Sequence, residues 1–352
     1  MTTQGDFLVE SRIVGPGQPC FIVAEAGVNH DGDLEQALGL VDAAHDAGAD
    51  AVKFQTWRTE KLVALGAGLA DYQRERVEDA VDQAAMLRDL ELPYDSFRRL
   101  KARADAVGLV FLSTPDDSES LGFLVDLGVP CLKIGSPEVT NLPYLREAGA
   151  TGLPTILSTG MSSLDEVTRA VAALEETGAP SLALLQCTSA YPTPAADANL
   201  RAMDTLAASF PYPVGFSDHT LGLEVAIAAV ARGACILEKH LTLDRNRSGP
   251  DHAMSLEPSE LGELVRSVRR VEQALGDGVK RVLDVEADAR SKLRKVIVAS
   301  RDLMVGHKLV REDVALLRSG PGISPGELDD ALGKTLRRSV RAGEALTYEA
   351  VR

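Results

Sequence analysis

Lys53 and Lys133 each interrupt an otherwise apolar run, Ala-Val-Lys-Phe at 51–54 and Cys-Leu-Lys-Ile at 131–134. An ammonium in such a place is costly to bury unless something anionic pairs with it. Other polar residues gather where similar runs stop: Glu25, Asn29 and His30; Gln55; Ser113 and Thr114; Ser136 and Glu138. The second half of the chain adds Ser158 and Thr159; Gln186, Thr188 and Tyr191; Ser217, Asp218 and His219; and Glu238, Lys239 and His240. One Lys or His at the end of a strand is more often a solvated rim residue than a catalyst. Eight coincident clusters of acids, bases, hydroxyls and cations mark an active site.

The elements that must position these groups repeat as strand then helix. Short apolar runs predict strands over Phe21–Asn29, Ala51–Trp57, Leu109–Pro115, Cys131–Ser136, Pro154–Gly160, Ser181–Ser189, Pro213–Thr220 and Cys235–Thr242. Between them helical patterns cover Leu34–Gly48, Tyr94–Gly108, Leu164–Gly178 and Leu221–Gly233, several closing on Gly as helix ends commonly do. An eighth helix, Glu257–Leu275, places Pro258 in its first turn, where proline is tolerated. The class is α/β, and eight such units predict a (β/α)8 TIM barrel, whose chemistry lies on the loops after the carboxyl ends of the strands. The clusters obey that rule.

A barrel domain spans 1–280, and 281–294 reads as a charged linker with little apolar periodicity. A second unit follows over 295–352, where Val305-Gly-His-Lys-Leu309 is echoed by Ala342-Gly-Glu-Ala-Leu346. This half-repeat predicts a compact pseudo-symmetric fold of β-strands and short helical turns around the Gly- and Pro-bearing stretch 320–326. At roughly 58 residues it would be marginally stable by itself.

The 352 residues carry 37 Lys plus Arg against 52 Asp plus Glu, a net charge of -15 that disfavours nucleic acid and anionic membrane as partners. Any anionic ligand therefore needs a local cluster of basic groups. Cys20, Cys131, Cys187 and Cys235 lack the close pair spacings of a zinc site and read as buried small hydrophobes without disulfides. No apolar run is long enough to span a membrane, and Met1–Glu10 lacks the pattern of a secretory signal, so the expected location is cytoplasmic.

With these stretches in view, nearly the whole chain resembles the sialic acid (N-acetylneuraminate) synthase family. The resemblance rests on Ile22-Val-Ala-Glu-Ala-Gly-Val-Asn-His-Asp-Gly32, Gly48-Ala-Asp-Ala-Val-Lys-Phe-Gln-Thr56, Phe111-Leu-Ser-Thr-Pro115, Leu132-Lys-Ile-Gly-Ser136 and Leu157-Ser-Thr-Gly-Met161. Cys187-Thr-Ser-Ala-Tyr-Pro-Thr-Pro194, Ser217-Asp-His-Thr220, Glu238-Lys-His-Leu-Thr242 and Ser248-Gly-Pro-Asp-His-Ala-Met-Ser255 continue it in the family's order. The C-terminal segment resembles the antifreeze-like (SAF, β-clip type) domain of these enzymes, including Arg318 before its Gly-Pro-Gly turn.

The resemblance implies condensation of phosphoenolpyruvate with an amino-sugar aldehyde, with N-acetylmannosamine the first expectation. It implies a divalent cation, Mn2+ or Mg2+, on His219 and His240, with open positions for water and the sugar carbonyl oxygen. Lys53, Thr114, Lys133, Ser136, Ser158 and Ser217 match the phosphoenolpyruvate-binding positions. Gln55, Glu138, Tyr191, Asp251 and Arg318 match the sugar-binding positions. Glu25 joins Lys53, His219 and His240 as a catalytic residue, either handling a proton or acting as a structural counter-ion to Lys53. The resemblance further implies a domain-swapped homodimer in which the small domain brings Arg318 to the partner's site.

Departures from the family pattern fall around the sugar. The chain has Ser189-Ala-Tyr191 where bacterial N-acetylneuraminate synthases commonly carry Asn two residues before the tyrosine, Pro137 where the third residue of a Gly-Ser-Gly signature stands, and Ser319 in place of a usual Pro. The loop 58–91 lacks a counterpart to a sugar-binding Asn. A sister synthase for a legionaminate-like, pseudaminate-like or specialised-metabolite sugar acid is therefore the alternative. Behind it stand a barrel condenser making keto-sugar phosphates and a non-catalytic carbohydrate-binding protein.

Overall fold

The computed structural model describes residues 7–64, 66–77 and 81–351, and the chain forms two compact units that divide after Gly276. Residues 1–6, part of the Met1–Glu10 stretch that lacks a secretory-signal pattern, lie outside the described residues. No helix among the described residues is long and apolar enough to cross a membrane.

The first unit opens on an antiparallel hairpin, β1 (Phe7–Val9) and β2 (Arg12–Val14), which the strand–helix pattern did not single out. Eight strands follow: β3 (Phe21–Gly27), β4 (Ala51–Thr56), β5 (Val110–Pro115), β6 (Leu132–Ile134), β7 (Thr155–Ser158), β8 (Leu182–Cys187), β9 (Val214–Asp218) and β10 (Ile236–His240). They pair in parallel in the order β5-β4-β3-β10-β9-β8-β7-β6, and β5 and β6 lie side by side without a ladder. The predicted TIM barrel is the fold, with one seam unzipped.

Alternation along each strand divides the core in two. In β4, Ala51 faces the small cluster inside the barrel, while Val52 and Phe54 join the larger sheath between strands and helices. The hairpin supplies Phe7, Val9 and Val14 to the inner cluster, beside Phe21 and Val23 near the start of β3, and so plugs the amino-terminal end. Burying the Phe7 side chain contributes about 2 kcal/mol on transfer scales.

Helices outside the sheet end where their sequences say they should. Leu34–Ala47 is capped by Asp33, whose carboxylate accepts from the Gln36 N–H, and closes on left-handed Gly48. Leu164–Thr177 carries a Ser163/Glu166 capping box, and Pro258–Leu275 begins on its proline. The predicted helix from Leu221 starts only at Glu224. The loop after β4 holds three short helices, Thr59–Leu62, Asp71–Arg76 and Gln83–Leu90. Val28, Trp57, Met86 and Leu90 form a satellite cluster that fastens this insertion to the barrel.

In the second unit, residues 284–293 are a helical turn and a short helix, Ala287–Leu293, with no buried side chain, which is why the sequence there shows charge without periodicity. The body pairs β11 (Lys295–Ala299) antiparallel with β12 (Val314–Arg318) around Ile297, Leu309, Leu336 and Leu346. The two echoing segments form the same turn: Gly306 and Gly343 both take positive φ, and residues two further on, Lys308 and Ala345, make bridges.

Candidate active site

A cavity of about 480 Å³ opens at the carboxyl ends of the barrel strands. It is lined by Glu25, Lys53, Gln55, Thr114, Lys133, Ser136, Ser158, Tyr191, Ser217, His219, His240 and Asp251, all of which the sequence had singled out. One residue expected in the cavity lies elsewhere in this unit. Glu138 faces a neighbouring acidic cleft and accepts from Asn141 at 2.6 Å, because Pro137 and the 3-10 turn Ser136–Thr140 carry it past the end of β6. Arg318 is exposed at the end of β12 in the second unit.

The floor holds two lysines and two carboxylates. Glu25, Lys53 and His240 occupy matched positions on β3, β4 and β10, and Lys53 Nζ lies 2.6 Å from Glu25 Oε2. A register shift between Glu25 and Gly27, whose φ is +48°, tilts the end of β3, and Gln55 donates to the other Glu25 oxygen at 3.0 Å. Lys53 also donates to Thr114 Oγ1 at 3.1 Å, and Lys133 to Ser158 Oγ at 2.7 Å. Glu238 stands between the lysines, 3.6 Å from Lys133 and 3.9 Å from Lys53, and accepts from the Ser217 hydroxyl at 2.8 Å.

Burial penalises every one of these charges, and the neighbours decide the outcome. Burial, with Glu238 adding repulsion, lifts the Glu25 carboxyl despite Lys53. Burial would also lift Glu238, but Lys133 and Lys53 hold it below the usual range. Burial lowers the Lys133 ammonium, whereas for Lys53 the attraction of Glu238 and Glu25 outweighs burial and raises it. Glu238 is thus the firm anion, Lys53 the firm cation, and Glu25 the group readiest to take a proton.

Beside the floor the Gly160 N–H donates to Ser136 Oγ at 2.9 Å, and Ser136 Oγ lies 3.2 Å from Cys187 Sγ. All four cysteines are free and buried, as expected, but Cys187 differs from the others in facing the cavity.

His219 and His240 stand with ring centroids 5.4 Å apart. His219 Nδ1 donates to the Thr188 carbonyl at 2.8 Å, which leaves its Nε2 lone pair free. His240 Nδ1 is buried without a hydrogen-bond partner, 3.4 Å from Asp251 Oδ2. Burial holds both imidazoles below their ordinary pKa, His219 and the lysines adding to the effect on His240. Two neutral rings with available nitrogens fit a divalent cation. Among the described residues no third His, Cys, Asp or Glu completes a closed set.

Aromatic groups connect this pair to the mouth. Tyr191 packs on His219 at 4.4 Å between centroids and on Tyr72 of the insertion at 5.0 Å. Ala70, Met86, Leu87 and Leu90 form an apolar wall there. The sequence reading placed Glu238 in a strand-end cluster without a role, and it did not anticipate Cys187 or the Tyr72 wall. For Glu238 a signal existed, since it shares the inward face with His240 two residues on.

Residues 40–280 match the model of the NeuB family, and residues 294–352 that of the SAF domain. The chain belongs to the NeuB family. Its C-terminal unit is a SAF domain, and the NeuB chain is an enzyme that forms a carbon–carbon bond. It is 45% identical over 341 residues to N,N'-diacetyllegionaminic acid synthase of Legionella pneumophila, covering 96% of each chain. It is 37% identical over 346 residues to N-acetylneuraminate-9-phosphate synthase of Homo sapiens, covering 98% of this chain and 96% of that one. Among solved structures, N-acetylneuraminic acid (sialic acid) synthetase from Leptospira borgpetersenii in complex with citrate aligns with a TM-score of 0.72 at 35% identity, over 82% of this chain and 95% of that one.

Proposed function

We propose that this NeuB chain joins phosphoenolpyruvate to the aldehyde of an N-acylated amino sugar, adding water and releasing phosphate to give a nonulosonic acid. The observation that carries the reading is the single cavity with the two lysines on its floor and the two neutral histidines beside them. Lys53, Lys133 and the hydroxyls of Thr114, Ser136, Ser158 and Ser217 bind the phosphate and carboxylate of phosphoenolpyruvate. His219 and His240 hold a divalent cation, Mn2+ or Mg2+, which when bound polarises the aldehyde. C3 of phosphoenolpyruvate attacks that carbon, water adds at C2, and the phosphate departs. Glu25, lifted by burial and bonded to Lys53, takes or returns the proton that moves when water adds.

The apolar wall of Ala70, Met86 and Leu87 suits acyl methyl groups better than a fully hydroxylated chain. Together with 45% identity to a diacetyllegionaminic acid synthase, it favours an aldose bearing two acetamido groups over N-acetylmannosamine. The test is phosphate release from phosphoenolpyruvate with Mn2+ across N-acetylmannosamine, 2,4-diacetamido hexoses, mannose and mannose 6-phosphate. Fastest turnover with a diacetamido hexose supports the reading; fastest turnover with N-acetylmannosamine makes the enzyme a sialic acid synthase. Release with none of them overturns it.

A further inference from the structure

Asp116 occupies a position that neither the site residues above nor the capping pattern of its helix requires. Its neighbours are all committed. Thr114 accepts from Lys53, the Pro115 carbonyl accepts from the Tyr144 hydroxyl at 2.6 Å, and Asp117 caps the helix Ser118–Leu127 through the Ser120 N–H at 2.9 Å. The backbone of Asp116 is pinned as well, its N–H donating to the Thr56 carbonyl at 3.0 Å. The Asp116 carboxylate, by contrast, has no side-chain hydrogen bond or ion pair among the described residues. It borders the active cavity and also the adjoining cleft of about 360 Å³. With its backbone fixed and its side chain half-buried on the rim of both openings, the carboxylate is placed to accept a hydrogen bond from a ligand in the active cavity.

We propose that Asp116 is a specificity-determining residue that accepts a hydrogen bond from a hydroxyl or amide N–H of the aldose and rejects phosphorylated aldoses. The wall beyond it reinforces the sign: Asp117, Glu119, Glu138 and Glu147 line the adjoining cleft with Lys61 as its cation. A phosphate carried by the aldose toward that side meets carboxylates, whereas the phosphate of phosphoenolpyruvate meets Lys53 and Lys133. Burial pushes the Asp116 carboxyl up to about 7 against the attraction of Lys53, with Glu138, Glu25 and Asp117 adding repulsion.

The inference rests on the acceptor being a sugar aldehyde, and the experiment separates the two. Steady-state kinetics compare N-acetylmannosamine, its 6-phosphate and a 2,4-diacetamido hexose for the wild-type holoenzyme, Asp116→Asn and Asp116→Ser. Wild-type preference for the unphosphorylated acceptors is expected. Both variants should lose about tenfold in kcat/KM for those acceptors, through acceptor KM with the KM for phosphoenolpyruvate unchanged. The ratio of unphosphorylated to phosphorylated turnover should narrow by a similar factor. An unchanged ratio in an active variant, or a wild-type preference for the 6-phosphate, overturns the role of Asp116. Wild-type silence with every aldose instead overturns the reaction itself.

Discussion

Lys239 Nζ lies 2.8 Å from Asp218 Oδ2 on the outer face of the barrel, and both side chains are wholly excluded from solvent. Strand alternation sets this pair back to back with the active site, since His219 follows Asp218 and His240 follows Lys239. The two residues are partners in the ladder between β9 and β10, so the ion pair fixes the register that places the histidines side by side. Removing one charge leaves the other buried and uncompensated. Lys239→Met should therefore destabilise the chain by about 3–5 kcal/mol, read as a lower urea midpoint, and Asp218→Asn added to it should recover part of the loss. No loss in the single variant would mean that water reaches Asp218.

How much of this was legible beforehand follows the same alternation. Lys53 and Gln55, or Ser217 and His219, stand two apart in apolar runs, and a barrel turns such pairs inward, so most of the cavity could be read from one strand at a time. Glu238 could not be given its role that way, because its partners sit on other strands: pairing of β10 with β9 brings Ser217, and the curl of the sheet brings Lys53 of β4 and Lys133 of β6. Glu138 misled for a local reason, the turn at Pro137 that carries it out of the cavity. The β1–β2 hairpin escaped notice since three-residue strands carry almost no periodic signal, and their value lies in plugging the barrel.

Gly160 is a packing constraint on the proposed phosphoenolpyruvate site. A Cβ there would stand 2.5 Å from Ser189 Oγ, 2.8 Å from Cys187 Sγ and 2.9 Å from Ser136 Oγ. Gly160→Ala must push Ser136 away from the floor it shares with Lys133. We expect kcat/KM for phosphoenolpyruvate to fall by about ten- to a hundredfold, with a stability loss of about 1–3 kcal/mol. Normal kinetics would show that Ser136 does not touch the ligand.

The Asp116 carboxyl also links function to stability. Its pKa is raised from 3.8 to about 7 by burial, so folding favours the protonated form. The fold is relatively most stable below the unfolded pKa and loses stability between pH 3.8 and about 7, above which the penalty is constant. Asp116→Asn does not titrate. Its melting temperature relative to wild type should rise across that window and level off at pH 8, the opposite of its expected effect on acceptor turnover. A difference that does not vary with pH would place the carboxyl in free contact with water.

Glu238 sits between two ammonium groups whose proposed ligand is anionic, which makes it a competitor for that ligand as well as a counter-ion. The ionised Glu238 offsets part of the charge of the two ammonium groups, and phosphoenolpyruvate must bind against that carboxylate. Glu238→Gln keeps an oxygen to accept from Ser217 and removes the charge alone. In the ligand-free variant Lys53 keeps its ion pair with Glu25 but Lys133 loses its ion pair with Glu238, so the variant should melt at a lower temperature than wild type. Inorganic phosphate at equal concentration should then raise its melting temperature more than that of wild type, because the anion replaces the charge that was lost. Equal shifts in the two proteins would mean that phosphate binds away from the lysines, and the assignment of the floor to phosphoenolpyruvate would fall with it.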